Sequence, residues 1–274
     1  MSPAAIDRGD EARPGRPAHA AGAVLAYLWS GWGAIASLML FCAVWEWGAQ
    51  AYGSLILPGP LETLQRLTAM IGQGDARPEL TISARRALTG LGLALSVGSL
   101  LGFVAGRSLT AAIIARPLAT VLLGMPPIAW LVLAMLWFGM GDATPVFTVF
   151  VACLPVVFVG ALQGARTLDG SLRDMARAYR LPWRMTLTDL YLPHMASYLF
   201  PSWVTALGAS WKVVVMAELL TTADGVGAAL AVSRAQLDTP TSMGWILAVL
   251  GLLLAFEYLC LEPLKRTVER WRVS

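Results

Sequence analysis

The sequence predicts an all-α integral membrane protein with about six transmembrane helices, and three observations predict it. Hydrophobic residues make up 57% of the 274 residues and charged ones only 14%, against about 25% charged in a soluble domain. Six stretches of 18 to 26 residues carry no charged side chain: 20–45, 87–106, 117–141, 143–165, 190–211 and 239–256. About 20 apolar residues, rising ~1.5 Å each in a helix, cross the ~30 Å hydrocarbon layer. The arginines supply the third observation. With the N-terminus inside, the inner segments hold fourteen Lys/Arg and the outer ones five: Arg66, Arg77, Arg85, Arg86 and Arg234. The positive-inside bias then places both termini in the cytoplasm. Arg85 and Arg86 stand on the wrong side for that rule.

The spans are placed at 24–48, 83–106, 117–138, 145–165, 195–220 and 241–261. Residues 1–22 are polar and Pro-rich and are expected as a disordered cytoplasmic tail,. The first apolar run is too long for the core of a secretory signal. Residues 23–272 form one membrane domain, with no room for a sizeable soluble one. Flanking arginines account for the net charge of +3, so the charge does not point to nucleic acid. Cys42, Cys153 and Cys260 fall singly in separate spans, which suits core filling rather than a disulfide frame or metal cluster,.

After the first span, Leu57-Pro58-Gly59-Pro60 makes a rigid turn. Leu61, Leu64, Leu67 and Ile71 then recur at helical spacing, as in a helix lying on the outer surface or in a short packed connector,. The second span carries Gly90, Ala94, Gly98, Gly102 and Gly106, a row of small residues that lets two helices approach closely in lipid,. In the third, Pro126 and Pro127 must kink or break the helix,. Irregular backbone at membrane depth survives only against protein or a water-filled cavity. Pro126, Pro127 and the nearby Trp130 are therefore candidates for the lining of a pathway, with a plain kink as the alternative. Pro145 opens the fourth span and Pro155 is expected to bend it.

A polar loop, 166–194, separates the fourth and fifth spans and carries Arg166, Arg173, Arg177, Arg180 and Arg184. A short helix over 172–179 must end near Leu181, because Pro182 disfavours the α conformation in the residue before it. A second periodic stretch closes at Leu192-Pro193. Two short helices meeting at a turn make a shape that another protein can grip. In the fifth span, Trp211, Lys212 and Glu218 are candidate pathway residues. Either charge costs ~2.5–3.5 kcal/mol to bury, so each needs water, a partner or a pathway. Glu218 lies near the outer end, where solvation would suffice. Lys212 lies deeper and is the better functional candidate.

With these residues in hand, the chain resembles the inner-membrane permease subunit of ABC importers of the nitrate, sulfonate, taurine and bicarbonate group. Those permeases carry a cytoplasmic loop with an E-A-A triplet, then three residues and a glycine, and a closing Leu-Pro. Here the loop reads Asp174-Met175-Ala176, then Arg180, then Leu192-Pro193, with the overall spacing kept. Asp stands for Glu, and Arg180 stands where glycine is usual. The resemblance extends from Leu57 to Arg272 and includes Arg86-Ala87-Leu88-Thr89-Gly90, Trp137-Phe138-Gly139 and the stretch from Trp211 to Glu218.

The resemblance implies a type I importer fold for 23–272, with a second permease copy completing the pathway. It also implies two ATPase subunits holding ATP and Mg, and a periplasmic or lipid-anchored binding protein that delivers a small anionic solute. By position in the motif, Asp174, Met175, Ala176, Arg177, Ala178, Arg180, Leu181, Leu192 and Pro193 would touch the ATPase. The location implied is the bacterial inner membrane. No cofactor is expected in this chain, whose only lysines, Lys212 and Lys265, are not followed by the Ser or Thr of a P-loop,. Two rivals are a membrane enzyme and a self-sufficient secondary transporter or channel. The first lacks a convergent catalytic set around His19 or His194; the second usually shows intramembrane carboxylates or an internal repeat.

Overall fold

The structure is a computed structural model and describes residues 18–261, all of whose regular elements are helical. Residues 1–17 of the expected tail, the end of the expected domain past 261 and the side chain of Cys260 lie outside the described residues. Helix α1 (Ala18–Tyr52) begins inside the stretch assigned to the tail and contains the expected first span. It ends at Gly53, whose φ of 81° a side chain would resist,. Its apolar side chains from Trp32 to Trp47 are largely exposed, and its nearest neighbour is α2 (Pro60–Gln73). Trp45 Nε1 donates to the Pro58 carbonyl at 2.9 Å and fixes that turn.

Helix α2 combines features of both readings given above. Thr63, Leu67 and Met70 pack inward, while Leu61, Leu64 and Ile71 stay exposed. The inward side meets α11 (Thr239–Phe256), where Arg66 Nε donates to Thr241 Oγ1 at 2.6 Å. Asp238 caps α11 by accepting from the Thr241 amide at 3.1 Å.

The bundle centre is α6 (Ala143–Arg166), with α3 (Ala76–Gly106) on one side and α9 (Leu192–Thr221) on the other. The row of small residues sets the first contact. A Cβ on Gly90 would meet Val149 Cβ at 2.8 Å, one on Gly98 the Leu154 carbonyl at 3.0 Å, and one on Gly106 Ala165 Cβ at 2.5 Å. Hydrogen at those positions is what lets the two backbones touch. Gly160 and Gly164 do the same for α6 against α9. Pro155 is accommodated within α6, which runs unbroken to Arg166.

Over the expected third span the chain forms two helices, α4 (Leu109–Gly124) and α5 (Pro127–Phe138), bent by 91°. Met125 and Pro126 each precede a proline and are both extended, with ψ of 127° and 137°. Two consecutive residues barred from the α region make a break instead of a kink. After α6 comes α7 (Gly170–Ala178), then α8 (Trp183–Met185), a π-helical turn (Thr186–Tyr191) and α9. These last three form one rod from Trp183 to Thr221. The wider turn accommodates Pro193, which has no N–H to give to the preceding carbonyls. Helix α10 (Val226–Ala235), absent from the sequence reading, fills the connection to α11, and a second π turn (Glu257–Leu261) follows. Four helices are long and apolar enough to cross a membrane, and the bent α4–α5 pair makes a fifth candidate. The chain is a multi-pass membrane protein.

Candidate functional site

At one end of the bundle, α7 and α8 form a hairpin. Asp169 starts it, accepting from the Ser171 amide at 2.9 Å, a bond that holds the Asp169 carboxyl below its usual range. Leu168 and Ala176 are the buried anchors. The hairpin turns at Arg180, whose φ is 47°. The Leu181 amide donates to the Ala176 carbonyl and the Arg180 amide to that of Arg177, both at 3.0 Å. These paired bonds define a left-handed helix stop that glycine usually provides. Arg180 therefore adopts glycine's backbone geometry at a cost of about 1 kcal/mol.

Of the motif residues, Asp174, Met175, Arg177, Ala178, Arg180, Leu192 and Pro193 are exposed, Leu181 is half-buried and Ala176 faces inward. Leu172, Met175 and Tyr179 add an exposed apolar patch between the arginines. His194 Nε2 lies 3.1 Å from Thr167 Oγ1 and ties the start of α9 to the end of α6.

The opposite end holds an ion cluster that the sequence reading missed. Glu79, Ser83 and Arg86 recur at helical spacing on α3. Arg86 is 2% exposed, and every one of its five N–H donors is used,. Nη1 donates to Glu218 Oε1 at 3.0 Å and to the Asp224 carbonyl at 2.9 Å. Nη2 donates to Asp224 Oδ1 at 2.6 Å and to Asp142, which also accepts from Nε at 2.8 Å. Arg85 joins from outside, Nη2 to Asp142 Oδ2 at 2.6 Å. The Asp142 carboxyl is held below its ordinary range, first by the hydrogen bond from Arg86. A lysine could not replace this planar fork.

Of the options open to Glu218 (water, a partner or a pathway), the structure takes the second: the side chain is fully buried among partners. Its Oε2 accepts from Ser83 Oγ at 2.6 Å and from the Gly227 amide at 3.1 Å. Ser83 Oγ in turn accepts from the Val226 amide at 2.8 Å. Gly225 has a φ of 94°, and a Cβ there would lie 2.5 Å from Glu218 Oε1. The chain passes this close to a buried carboxylate only because the residue is glycine. The sequence did hold a signal: Arg85 and Arg86 break the positive-inside rule, and a rule-breaking cation near a buried acid suggests a pair.

The other pathway candidates separate. Trp211 is 1% exposed, packed from α9 into the core shared with α3 and α6. Lys212, the next residue, lies on the uncovered side of α9 with Pro201, Thr205 and Leu220, and among the described residues no ion pair involves it. Pro126 is exposed at the α4–α5 break, Pro127 opens α5, and Trp130 is half-buried with an Nε1 lacking an acceptor. The structure does not bring Lys212 and Glu218 together. They occupy different faces of α9, about 120° apart around its axis, as six residues of helical rotation require.

Residues 94–271 match the family described as the binding-protein-dependent transport system inner membrane component. The taurine transport system permease of Escherichia coli is 27% identical over 244 residues, 86% of this chain and 88% of that protein. A Bacillus subtilis protein named as an aliphatic sulfonates transport permease is 27% identical, over 85% of this chain and 84% of its own. The nitrate import permease of Synechococcus elongatus is 24% identical, over 70% and 73% respectively. The match takes in α6, the hairpin and the whole of α9. The chain belongs to the binding-protein-dependent transport system inner membrane component family, with the type I ABC permease fold, in the group represented by the nitrate, sulfonate and taurine importers.

Proposed function

We propose that the chain forms, with a second copy, the pathway of an ATP-driven importer, and that the hairpin from Gly170 to Pro193 seats in a separate ATPase. The observation that carries this is the hairpin itself. Leu172, Met175 and Tyr179 are exposed among Asp174, Arg177 and Arg180, on a support that anchors Leu168 and Ala176 and is continuous with α9. Unpartnered apolar side chains ringed by charge mark a protein-binding face. Energy enters through the partner, and transport is a shift between inward-open and outward-open populations. In this reading the hairpin and both termini are cytoplasmic in a bacterial inner membrane, ATP and Mg bind the partner, and a binding protein loads solute from outside.

The solute is small and carries an anionic group, as sulfonates, taurine and nitrate do. Lys212 supports this, because an unpaired ammonium inside a span is stable facing water or an anion and not facing lipid. Co-purification tests the docking. Asp174→Lys and Arg177→Glu should each release the ATPase, and undiminished co-purification with both would refute the reading. Solute uptake by the chain alone, with no ATPase present, would favour a self-sufficient transporter instead.

A further inference from the structure

Helix α9 differs from the other long helices in what it leaves uncovered. Helices α3, α4 and α11 turn bulky aliphatic side chains outward: Leu100 and Val104, Ile113 and Leu118, Ile246 and Leu250. Such faces suit lipid. On α9, no large apolar side chain is exposed between Leu192 and Leu220. The exposed positions between Pro193 and Leu220 are Pro201, Thr205 and Lys212, with Gly208 half-covered among them. At ~100° per residue these four fall within about 60° of one another around the helix axis. They make one narrow stripe, small and polar. A Cβ on Gly208 would meet nothing within 4 Å, so the stripe borders open space, while the other faces of α9 pack on α6, α10 and α3.

Lys212 reaches neither end of its helix. It lies nine residues, about 13 Å, inside the Thr221 end, and about 30 Å from Leu192,. Side chains on a helix lean toward its N-terminus, here the hairpin end, so the ammonium is carried away from the nearer surface. It makes no ion pair or hydrogen bond among the described residues. A bare cation at that depth is costly against hydrocarbon and stable against water or an anion. The stripe is therefore a wall of the pathway, and the second copy supplies the wall opposite. Two-fold symmetry sets the Lys212 side chains of both copies at one depth. Two ammonium groups at one level repel unless an anion lies between them. Each offers three N–H donors and no acceptor, so their complement is a compact group rich in acceptor oxygens.

We infer that the Lys212 side chains of the two copies form one cationic station in the seam, which holds the oxyanion group of the solute and sets the selection of the pathway for anions. Lys212 is thus a specificity-determining residue, and the station is incomplete in a single copy. The inference rests on the chain being one half of a two-copy importer.

The test uses the complete complex in lipid nanodiscs, where both faces meet water, in a background with Cys42, Cys153 and Cys260 replaced. Thr205→Cys places a thiol two turns from Lys212 on the same stripe. Its rates with two methanethiosulfonate reagents, one bearing a sulfonate and one a trimethylammonium, are each divided by the rate with free cysteine. With Lys212 present the anionic reagent is favoured at least about tenfold, and the preference shrinks as salt is raised. Lys212→Gln cuts it at least about fivefold, whereas Lys212→Arg, which keeps the cation, retains it. Separately, Lys212→Cys gives one thiol per copy, and bifunctional thiol reagents of graded length link the two copies there. An equal preference in Lys212→Gln, no preference in the parent, or a Thr205→Cys thiol that neither reagent reaches would each overturn the station. Absence of any link through Lys212→Cys would overturn its pairing. A parent that purifies with neither a second copy nor an ATPase would instead refute the importer reading.

Discussion

Arg86 and Glu218 give the sharpest test of how this bundle is held. Replacing Arg86 with methionine strands the Glu218 carboxyl at 0% exposure, with only Ser83 Oγ and the Gly227 amide as hydrogen-bond partners. Stranding one member of a buried pair costs about 3–5 kcal/mol. Asp142 and Asp224 also lose their partner, but their side chains are 55% and 54% exposed. Water replaces the arginine there, and the added cost stays within ~1 kcal/mol. Glu218→Gln is milder, because the amide oxygen still accepts from Ser83 and Arg86 keeps Asp142 and Asp224; it costs about 1–2 kcal/mol. The double variant Arg86→Met with Glu218→Met removes both charges at similar volume. It should recover about 2–3 kcal/mol relative to the sum of its single changes. Thermal unfolding in one fixed detergent measures this. For a chain of this size each kcal/mol moves the midpoint by about 2–4 °C, so Arg86→Met should fall by roughly 6–20 °C. Strict additivity in the double-mutant cycle, or an Arg86→Met variant no weaker than Glu218→Gln, would refute the reasoning.

Three further outcomes follow from the same geometry. Asp142 has a depressed carboxyl pKa, so its link to Arg86 contributes stability that is present above its ordinary value near 3.8 and is lost as the pH falls through the lower folded value,; Asp142→Asn should flatten the acid limb of an unfolding-versus-pH curve, and an unchanged limb would count against the link. Arg180→Gly relieves a left-handed side chain and should raise the thermal midpoint by a gain of about 1 kcal/mol. ATPase affinity measured on the same variant then reports what the Arg180 side chain itself contributes. Gly225→Ala sets a methyl group against Glu218 and strains a positive φ, costing about 2 kcal/mol or more,; an unfolding midpoint equal to the parent's would show that the α9–α10 connection is not pinned there.

That α6 is the helix α3 packs on was not legible along the chain; the helical class, a close helix contact along the small-residue row of α3, a kink or break at Pro126-Pro127 and a polar hairpin all were. Each depends on a local property: uncharged length, a small residue at every fourth position, proline's missing N–H, or a polar interval between apolar ones. Long charge-free runs settle the class because an unpaired charge in hydrocarbon is costly wherever it sits. The arrangement around Arg86 was not legible. Its partners come from α9, from the turn before α6 and from the turn before α10, more than fifty residues away in sequence, and whether Glu218 meets water or arginine depends on which helices pack beside it. The same packing buries Trp211 and leaves Lys212 uncovered, although the two are adjacent. The sequence determines which segments form helices and which must bend; only the tertiary structure decides which charges find one another, because compensation depends on distance through space.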